Sequence, residues 1–192
     1  TRHLLDFAQQ CSANKLLYVR SGAVYGPQPT DLARVPETFE GNPVSIYGKG
    51  KKRSEQMCLE FSERRFSCVI ARPFAFVGPH LPLDTHFAIG NFIRDCLMNR
   101  PISIHGDGTP LRSYLYAADL AEWLWTLLFR GEHARAYNVG SADAISIKDL
   151  AFRVRECAAT TNPILIKEEA DPNVSPPRYV PSVERAKDEL GL

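Results

Sequence analysis

The sequence predicts an α/β protein organised around a parallel sheet, and three observations predict it. Leu16–Val19 and Cys68–Ala71 are short apolar runs without polar alternation, the pattern of strands buried on both faces, and Ala136–Val139 reads as another buried strand interrupted only by Asn138. Segments with helical spacing separate them, such as Leu120, Trp123, Leu124, Leu127 and Leu128. A chain of 192 residues that is 44% hydrophobic is also large enough to bury one sizeable core.

In chain order, residues 1–12 enter directly into helical periodicity, with Leu4, Leu5, Phe7 and Ala8 followed by Cys11. The strand Leu16–Val19 stops at Arg20-Ser21-Gly22, and Gly26 to Gly41 is loop, punctuated by Pro27, Pro29 and Pro36. A helix starts near Ser45 or Tyr47 and runs to about Arg64. Its glycines, Gly48 and Gly50, cost about 1 kcal/mol each in helix propensity. The strand Cys68–Pro73 ends at Phe74-Ala75-Phe76-Val77-Gly78-Pro79, and Phe87 to Leu97 is helical. Ile102-Ser103-Ile104 alternates as a strand, and His105–Thr109 is a turn cluster. After Arg112-Ser113-Tyr114, Asp119 is expected to cap a helix whose tryptophans, Trp123 and Trp125, are both assigned to the core. Ala136–Gly140 is a further buried strand, and Ser146 caps a helix through Leu150, Val154 and Cys157. Pro163–Ile166 is a strand, and the loop from Asp171 to Pro177 leads to Arg178-Tyr179-Val180-Pro181-Ser182. Ser182 or Val183 opens a last helix, Glu184–Leu190, with Gly191 as its C-cap.

Composition excludes several function classes. A net charge of +1 argues against nucleic-acid binding or attachment to a membrane surface. No apolar run approaches the length of a membrane span. Cys11, Cys58, Cys68, Cys96 and Cys157 are odd in number and widely spaced, with no Cys-x-x-Cys. They read as reduced thiols of a cytoplasmic protein, neither a disulfide frame nor a metal site.

The chemistry concentrates between Ser21 and Lys51. Tyr47 and Lys51 are four residues apart and share one helix face. An ammonium beside a phenol favours the phenolate, and such a tyrosine serves as a general base near neutral pH. Ser21, at the end of a strand, offers a hydroxyl to the same substrate atom. With Val24-Tyr25-Gly26 between them, these residues resemble the extended short-chain dehydrogenase/reductase family, the nucleotide-sugar epimerases and dehydratases of the UDP-glucose 4-epimerase type. In that family a Ser or Thr stands three residues before the Val of a Val-Tyr-Gly turn, and the Tyr-x-x-x-Lys pair follows after a loop. Arg72-Pro73-Phe74…Gly78-Pro79 and the run Gly106-Asp107-Gly108-Thr109…Arg112-Ser113-Tyr114…Asp119-Leu120 carry the resemblance further along the chain.

The resemblance implies a partial Rossmann fold, a doubly wound parallel sheet with a smaller α/β substrate-binding lobe. Residues 1–79 and 116–160 would form the sheet layer, and 80–115 and 161–192 the lobe. It implies NAD or NADP as cofactor, with Pro73 and Phe74 lying against the nicotinamide and Gly48 and Gly50 leaving room for its approach. No Gly-x-Gly-x-x-Gly loop occurs in the chain, so the sequence reads as the central and C-terminal part of a longer enzyme. The implied substrate is a nucleotide-diphosphate sugar, with Arg112 and Arg178 as the diphosphate clamps. His86 and Asn91 are further candidate contacts with it. Tyr47 would take the hydroxyl proton, Lys51 would stabilise the phenolate and hold the nicotinamide ribose, and Ser21 would bond O4. Two departures matter. Ala75 stands where the family commonly carries Asn. Gly22-Ala23 stands where the 4,6-dehydratases carry Asp-Glu, which argues against that branch. Transient C4 oxidation by an epimerase is the first reading, with reduction of a 4-keto-6-deoxy sugar as the alternative. A non-catalytic family member that keeps the fold is the reading from a different class. Family habit implies a homodimer, formed through the helix carrying Tyr47 and the helix at the N-terminal side.

Overall fold

The computed structural model describes residues 1–62, 66–85 and 87–192. Its centre is a three-stranded parallel sheet in the order β1 (Lys15–Val19), β2 (Ser67–Pro73), β7 (Arg135–Val139). Leu17 pairs with Val69 and Ala71 with Tyr137, so β2 is hydrogen-bonded on both edges. Its residues Cys68, Val69, Ile70 and Ala71 have no exposed surface at all, which accounts for the run without polar alternation.

The two-residue period of the strand divides the core into two layers. Cys68 and Ile70 face Leu5 and Ala8 of α1 (Arg2–Gln10) and Cys58 and Phe61 of α2 (Ile46–Ser62). Val69 and Ala71 face Trp123 and Leu127 of α4 (Ala117–Arg130) and Ala186 and Leu190 of α6 (Glu184–Leu190). Helices therefore cover both faces of the sheet, as a doubly wound arrangement requires. The outer edge of β1 has no strand beside it among the described residues.

A second, smaller cluster is built from α3 (Ala88–Leu97), β4 (Ile102–Ile104), α5 (Ile147–Cys157) and β9 (Ile164–Ile166). Ile89, Phe92, Ile102, Ile104, Leu150 and Ala151 form its interior. Short strands join the two bodies: β3 (Phe76–Val77) pairs with β6 (Leu115–Tyr116), and β5 (Leu111–Arg112) lies between β8 (Ile145–Ser146) and β10 (Arg178–Tyr179). All five cysteines are free thiols. Among the described residues, no helix is long and apolar enough to cross a membrane.

Four expectations need correction. Asp119 is not the cap of α4, which begins at Ala117 after Tyr116; Asp119 lies in the first turn, where a carboxylate faces the positive helix end. Trp123 is core, but Trp125 is 61% exposed and stacks on Phe129 with ring centroids 5.8 Å apart. The helix that Ser146 caps, its Oγ accepting from Asp149 N at 2.9 Å, packs on α3 and β4 and not on the large sheet. Gly48 is demanded by the chain itself: a Cβ there would lie 2.7 Å from Pro43 Cβ and 2.8 Å from the Ala23 carbonyl, while Gly50 faces open space. The expected end of α2 near Arg64 lies outside the described residues.

Candidate active site

The site begins where β1 ends. Arg20 N donates the last ladder bond to Ala71 O (2.8 Å), and the chain then turns into a single 3₁₀ turn, Gly22–Tyr25. Ser21 is extended (φ −160°, ψ 146°), and its Oγ accepts from Ala23 N at 3.2 Å, which caps that turn. The Ser hydroxyl is thus held at the C-terminal end of the parallel sheet, the edge at which doubly wound sheets bind ligands.

Tyr47 is placed by the start of α2. Ser45 Oγ accepts from Gly48 N (3.0 Å), so the helix opens one residue before Tyr47. The azimuth of α2 is set from below by Glu55. Its Oε1 accepts from Arg72 Nη2 at 2.7 Å and its Oε2 from Arg72 Nε at 3.2 Å, a bidentate bond to β2. Arg20 also donates to the same carboxylate. Arg72 Nη1 donates to the Tyr25 hydroxyl (2.7 Å), which donates to Asn138 Oδ1 (2.7 Å). One buried polar chain therefore ties α2, β2, the 3₁₀ turn and β7 together.

Ser21, Tyr47, Pro73, Phe74 and Arg112 all line one cavity of about 860 Å³. The first four come from the sheet layer, Arg112 from β5 at the junction with the smaller lobe. Lys51 is not part of the lining; its Nζ lies over the Tyr47 ring, 5.3 Å from the centroid. Arg178 does not reach the cavity. Tyr179 pairs with Arg112 across β10 and β5, and Arg178 with Leu111, so Arg178 occupies the other face of the strand. Asn91 lies deeper in α3, where its Oδ1 accepts from Arg94 (3.4 Å); the start of that helix, Phe87 to Ile89, lines the cavity instead. His86 lies outside the described residues.

Two lining tyrosines escaped the sequence reading. Tyr114 sits beside Arg112, and burial pushes its phenol up, partly offset by that guanidinium. Tyr179 is pushed up to about 12, chiefly by burial, with the Ser21 side chain partly offsetting that and Tyr47 adding to it. Adjacent strand residues face opposite ways, so one of Arg178 and Tyr179 had to face inward, but two residues carry no pattern to say which.

A family model described as the NAD dependent epimerase/dehydratase family matches residues 1–140. The chain belongs to that family. Among its relatives, UDP-glucuronic acid decarboxylase 4 of Arabidopsis thaliana is 31% identical over all of this chain and 43% of its own length. The dTDP-D-glucose 4,6-dehydratase of Mus musculus is 31% identical over 84% of this chain and 45% of that protein. The chain thus spans less than half the length of these relatives. The fold matches UDP-glucose 4-epimerase of Thermotoga maritima, solved with UDP-glucose, with a TM-score of 0.87 at 21% identity over 98% of this chain and 60% of that one. It also matches dTDP-glucose 4,6-dehydratase of Bacillus anthracis in complex with NAD, with a TM-score of 0.85 at 20% identity over 98% of this chain and 59% of that one.

The residues present fit part of a nicotinamide dinucleotide. Lys51 lies over the Tyr47 ring and takes no acceptor among the described residues, so its three N–H donors are free for ribose hydroxyls. Pro73 and Phe74 line the cavity with Ser21 and would offer a flat ring an apolar wall.

Proposed function

We propose that this chain carries the catalytic and sugar-binding part of an NAD(P)-dependent nucleotide-sugar epimerase acting through transient oxidation at C4 of a nucleotide-diphosphate hexose. The observation that carries the reading is the convergence of Ser21, Tyr47 and Arg112 on one cavity, with the Lys51 ammonium over the Tyr47 ring. The nicotinamide, when bound, supplies reversible hydride acceptance. Tyr47 takes the proton from the sugar hydroxyl, and the adjacent Lys51 charge favours the phenolate that does so. Ser21 donates to O4 and steadies the charge that develops there. Arg112 is the anchor for the diphosphate, whose oxygens match a guanidinium fork. Arg178, Asn91 and His86 remain candidate contacts only for parts of the substrate that extend beyond the cavity. A homodimer of a soluble enzyme in the cytoplasm completes the reading.

The absence of carboxylates at Gly22 and Ala23 supports epimerisation over 4,6-elimination, which needs an acid and a base there. Decarboxylation is the second reading, favoured by relatives such as UDP-glucuronic acid decarboxylase 4 that match the whole chain. A C4 ketone is β to a C6 carboxylate, and that acid loses carbon dioxide without a base at position 22. Against it, the only cations lining the cavity among the described residues are Arg112 and Arg20, and Arg20 is bonded to Glu55. A neutral hexose fits that charge balance better.

The test is a panel of UDP-, dTDP-, GDP- and CDP-linked hexoses and hexuronates, with products followed by NMR and reduced nicotinamide by absorbance. Inversion at C4 without net cofactor change is expected, and Tyr47→Phe should lower kcat by about 10²-fold to 10⁴-fold. Release of carbon dioxide from a hexuronate moves the assignment to the second reading. Net consumption of NAD(P)H on a 4-keto sugar identifies a reductase. Unchanged turnover in Tyr47→Phe refutes both C4-oxidation readings.

A further inference from the structure

Ala23 stands between the two groups that carry the proton chemistry. Its N–H donates to Ser21 Oγ (3.2 Å), and its carbonyl faces Gly48, the residue that follows Tyr47. A Cβ at position 48 would lie 2.8 Å from that carbonyl oxygen and 2.7 Å from Pro43 Cβ. Neither obstacle is the end of a flexible side chain: one is main chain and the other belongs to a closed ring. The start of α2 therefore rests on the 3₁₀ turn through backbone atoms, and glycine is what lets it come that close.

Other bonds press the two elements into this contact. Ser45 Oγ accepts from Gly48 N (3.0 Å), which fixes the first turn of α2. Lys52 Nζ donates to Gly41 O (2.8 Å) and ties the helix to the segment that leads into it. Further along α2, Glu55 binds Arg72, and the same guanidinium donates to the hydroxyl of Tyr25 (2.7 Å), the last residue of the 3₁₀ turn. Helix and turn are thus tied to one arginine and kept apart by one carbonyl. Glycine weakens a helix interior, and at position 48 that cost comes with a shorter distance between the element bearing Tyr47 and the element bearing Ser21.

We propose that Gly48 is a positioning residue: by letting α2 rest on the Ala23 carbonyl it sets the separation of the Ser21 hydroxyl and the Tyr47 phenol, which the Arg72–Tyr25 bond then holds. The inference rests on the reading of Ser21 as the donor to O4 and Tyr47 as the base. Carbon–oxygen contacts settle at about 3.3–3.6 Å, so a methyl group at position 48 pushes helix and turn apart by about half an ångström or more. Tyr47 moves with the helix, while Ser21 stays with the turn through its bond to Ala23 N. A misplacement of about 1 Å costs about 10²-fold in rate, which puts the loss for half that displacement at about tenfold.

A double-mutant cycle with Gly48→Ala and Ser21→Ala, read as kcat and KM separately on the intact enzyme, tests this. The expected result for Gly48→Ala is a loss of about tenfold in kcat. KM for the nucleotide sugar should change by less than about threefold, because Arg112 stands on β5 and does not move with α2. In the Ser21→Ala background the same substitution should change kcat by less than about twofold, since the separation it alters no longer matters. An equal loss in both backgrounds, or none in the first, overturns the proposal while leaving the site assignment standing. Silence of both Ser21→Ala and Tyr47→Phe would instead overturn the reading beneath it. Should Gly48→Ala fold poorly, Tyr25→Phe loosens the same separation without adding an atom, by removing the bond between the turn and Arg72. Its kcat should then fall about threefold to tenfold, the worth of one hydrogen bond, and only while Ser21 is present. An unchanged kcat, or a loss of the same size without Ser21, refutes the proposal.

Discussion

Removing the carboxylate of Glu55 should cost far more than removing one of the two arginines that share it. Arg20, Arg72 and Glu55 side chains are 1%, 12% and 13% exposed, so a pair of cations and one anion are buried together. Burial, followed by repulsion from Arg72, pulls the Arg20 guanidinium down from 12.5 to about 10. Holding that charge therefore costs the native state free energy, which the bond to Glu55 offsets. Among the described residues, Arg20 Nε and Nη2 are buried without a partner, which is the same cost seen as geometry. Glu55→Gln leaves two guanidiniums facing each other and should destabilise by about 3–5 kcal/mol, the range for breaking a buried pair on one side. Arg20→Met keeps the bidentate Arg72–Glu55 bond, fills similar volume and removes the surplus charge, so its effect should run from neutral to about 2 kcal/mol stabilising. Urea unfolding near neutral pH, with m unchanged between variants, measures both. A loss under about 1 kcal/mol for Glu55→Gln, or a loss above about 2 kcal/mol for Arg20→Met, would refute the surplus-charge argument. In the second case Arg20 must have acceptors in solution that the described residues do not provide.

Further outcomes follow from single contacts. Gly22→Ala drives a methyl group into Phe74 and the Tyr179 hydroxyl, and should destabilise by about 1–3 kcal/mol by denaturant unfolding, with kcat reduced because Ser21 shifts. Arg112→Lys replaces a planar fork by a point charge and should raise KM for the nucleotide sugar about tenfold with kcat nearly unchanged, read by steady-state kinetics. Glu189 is held below the usual carboxylate range, chiefly by its bond to Arg135 and then by the Tyr137 hydroxyl at 2.9 Å. A lowered carboxylate pKa contributes stability above its unfolded value and loses it as pH falls through the folded one. Glu189→Gln should therefore flatten the acid side of the stability profile below about pH 4.5 by a few tenths of a kcal/mol, the pair being partly exposed.

The strands and helices were legible because burial writes itself into composition. β2 could be recognised from Cys68 to Ala71 because a strand covered on both faces has no place for polar alternation, and α5 from Ser146 because its cap is a local contact. Where α5 packs was not legible: its apolar stripe specifies a wet and a dry side but not which lobe supplies the dry one. Trp125 failed for a related reason. It follows Trp123 by two residues, and on a helix two residues apart means different faces, so both could not be core.

The candidate site divides along the same line. That Ser21, Tyr47 and Arg112 line one cavity could be anticipated because their placement depends on a spacing set by one strand end or one helix turn. Arg178 lies off the cavity, which a two-residue strand has no periodicity to reveal; the pairing of Tyr179 with Arg112 sets the inward face, and that pairing spans 67 residues of chain. Gly48 shows the converse. A glycine in a helix next to a candidate base invites a reading in terms of bound ligands, yet Pro43 and the Ala23 carbonyl already fill the space a Cβ would need. Gly22 obeys the same rule, since the Phe74 ring and the Tyr179 hydroxyl, which both line the cavity, crowd the place its Cβ would take. Whether a glycine reports on packing or on chemistry is decided by the atom that takes its Cβ's place, and that atom comes from a part of the chain no local window contains.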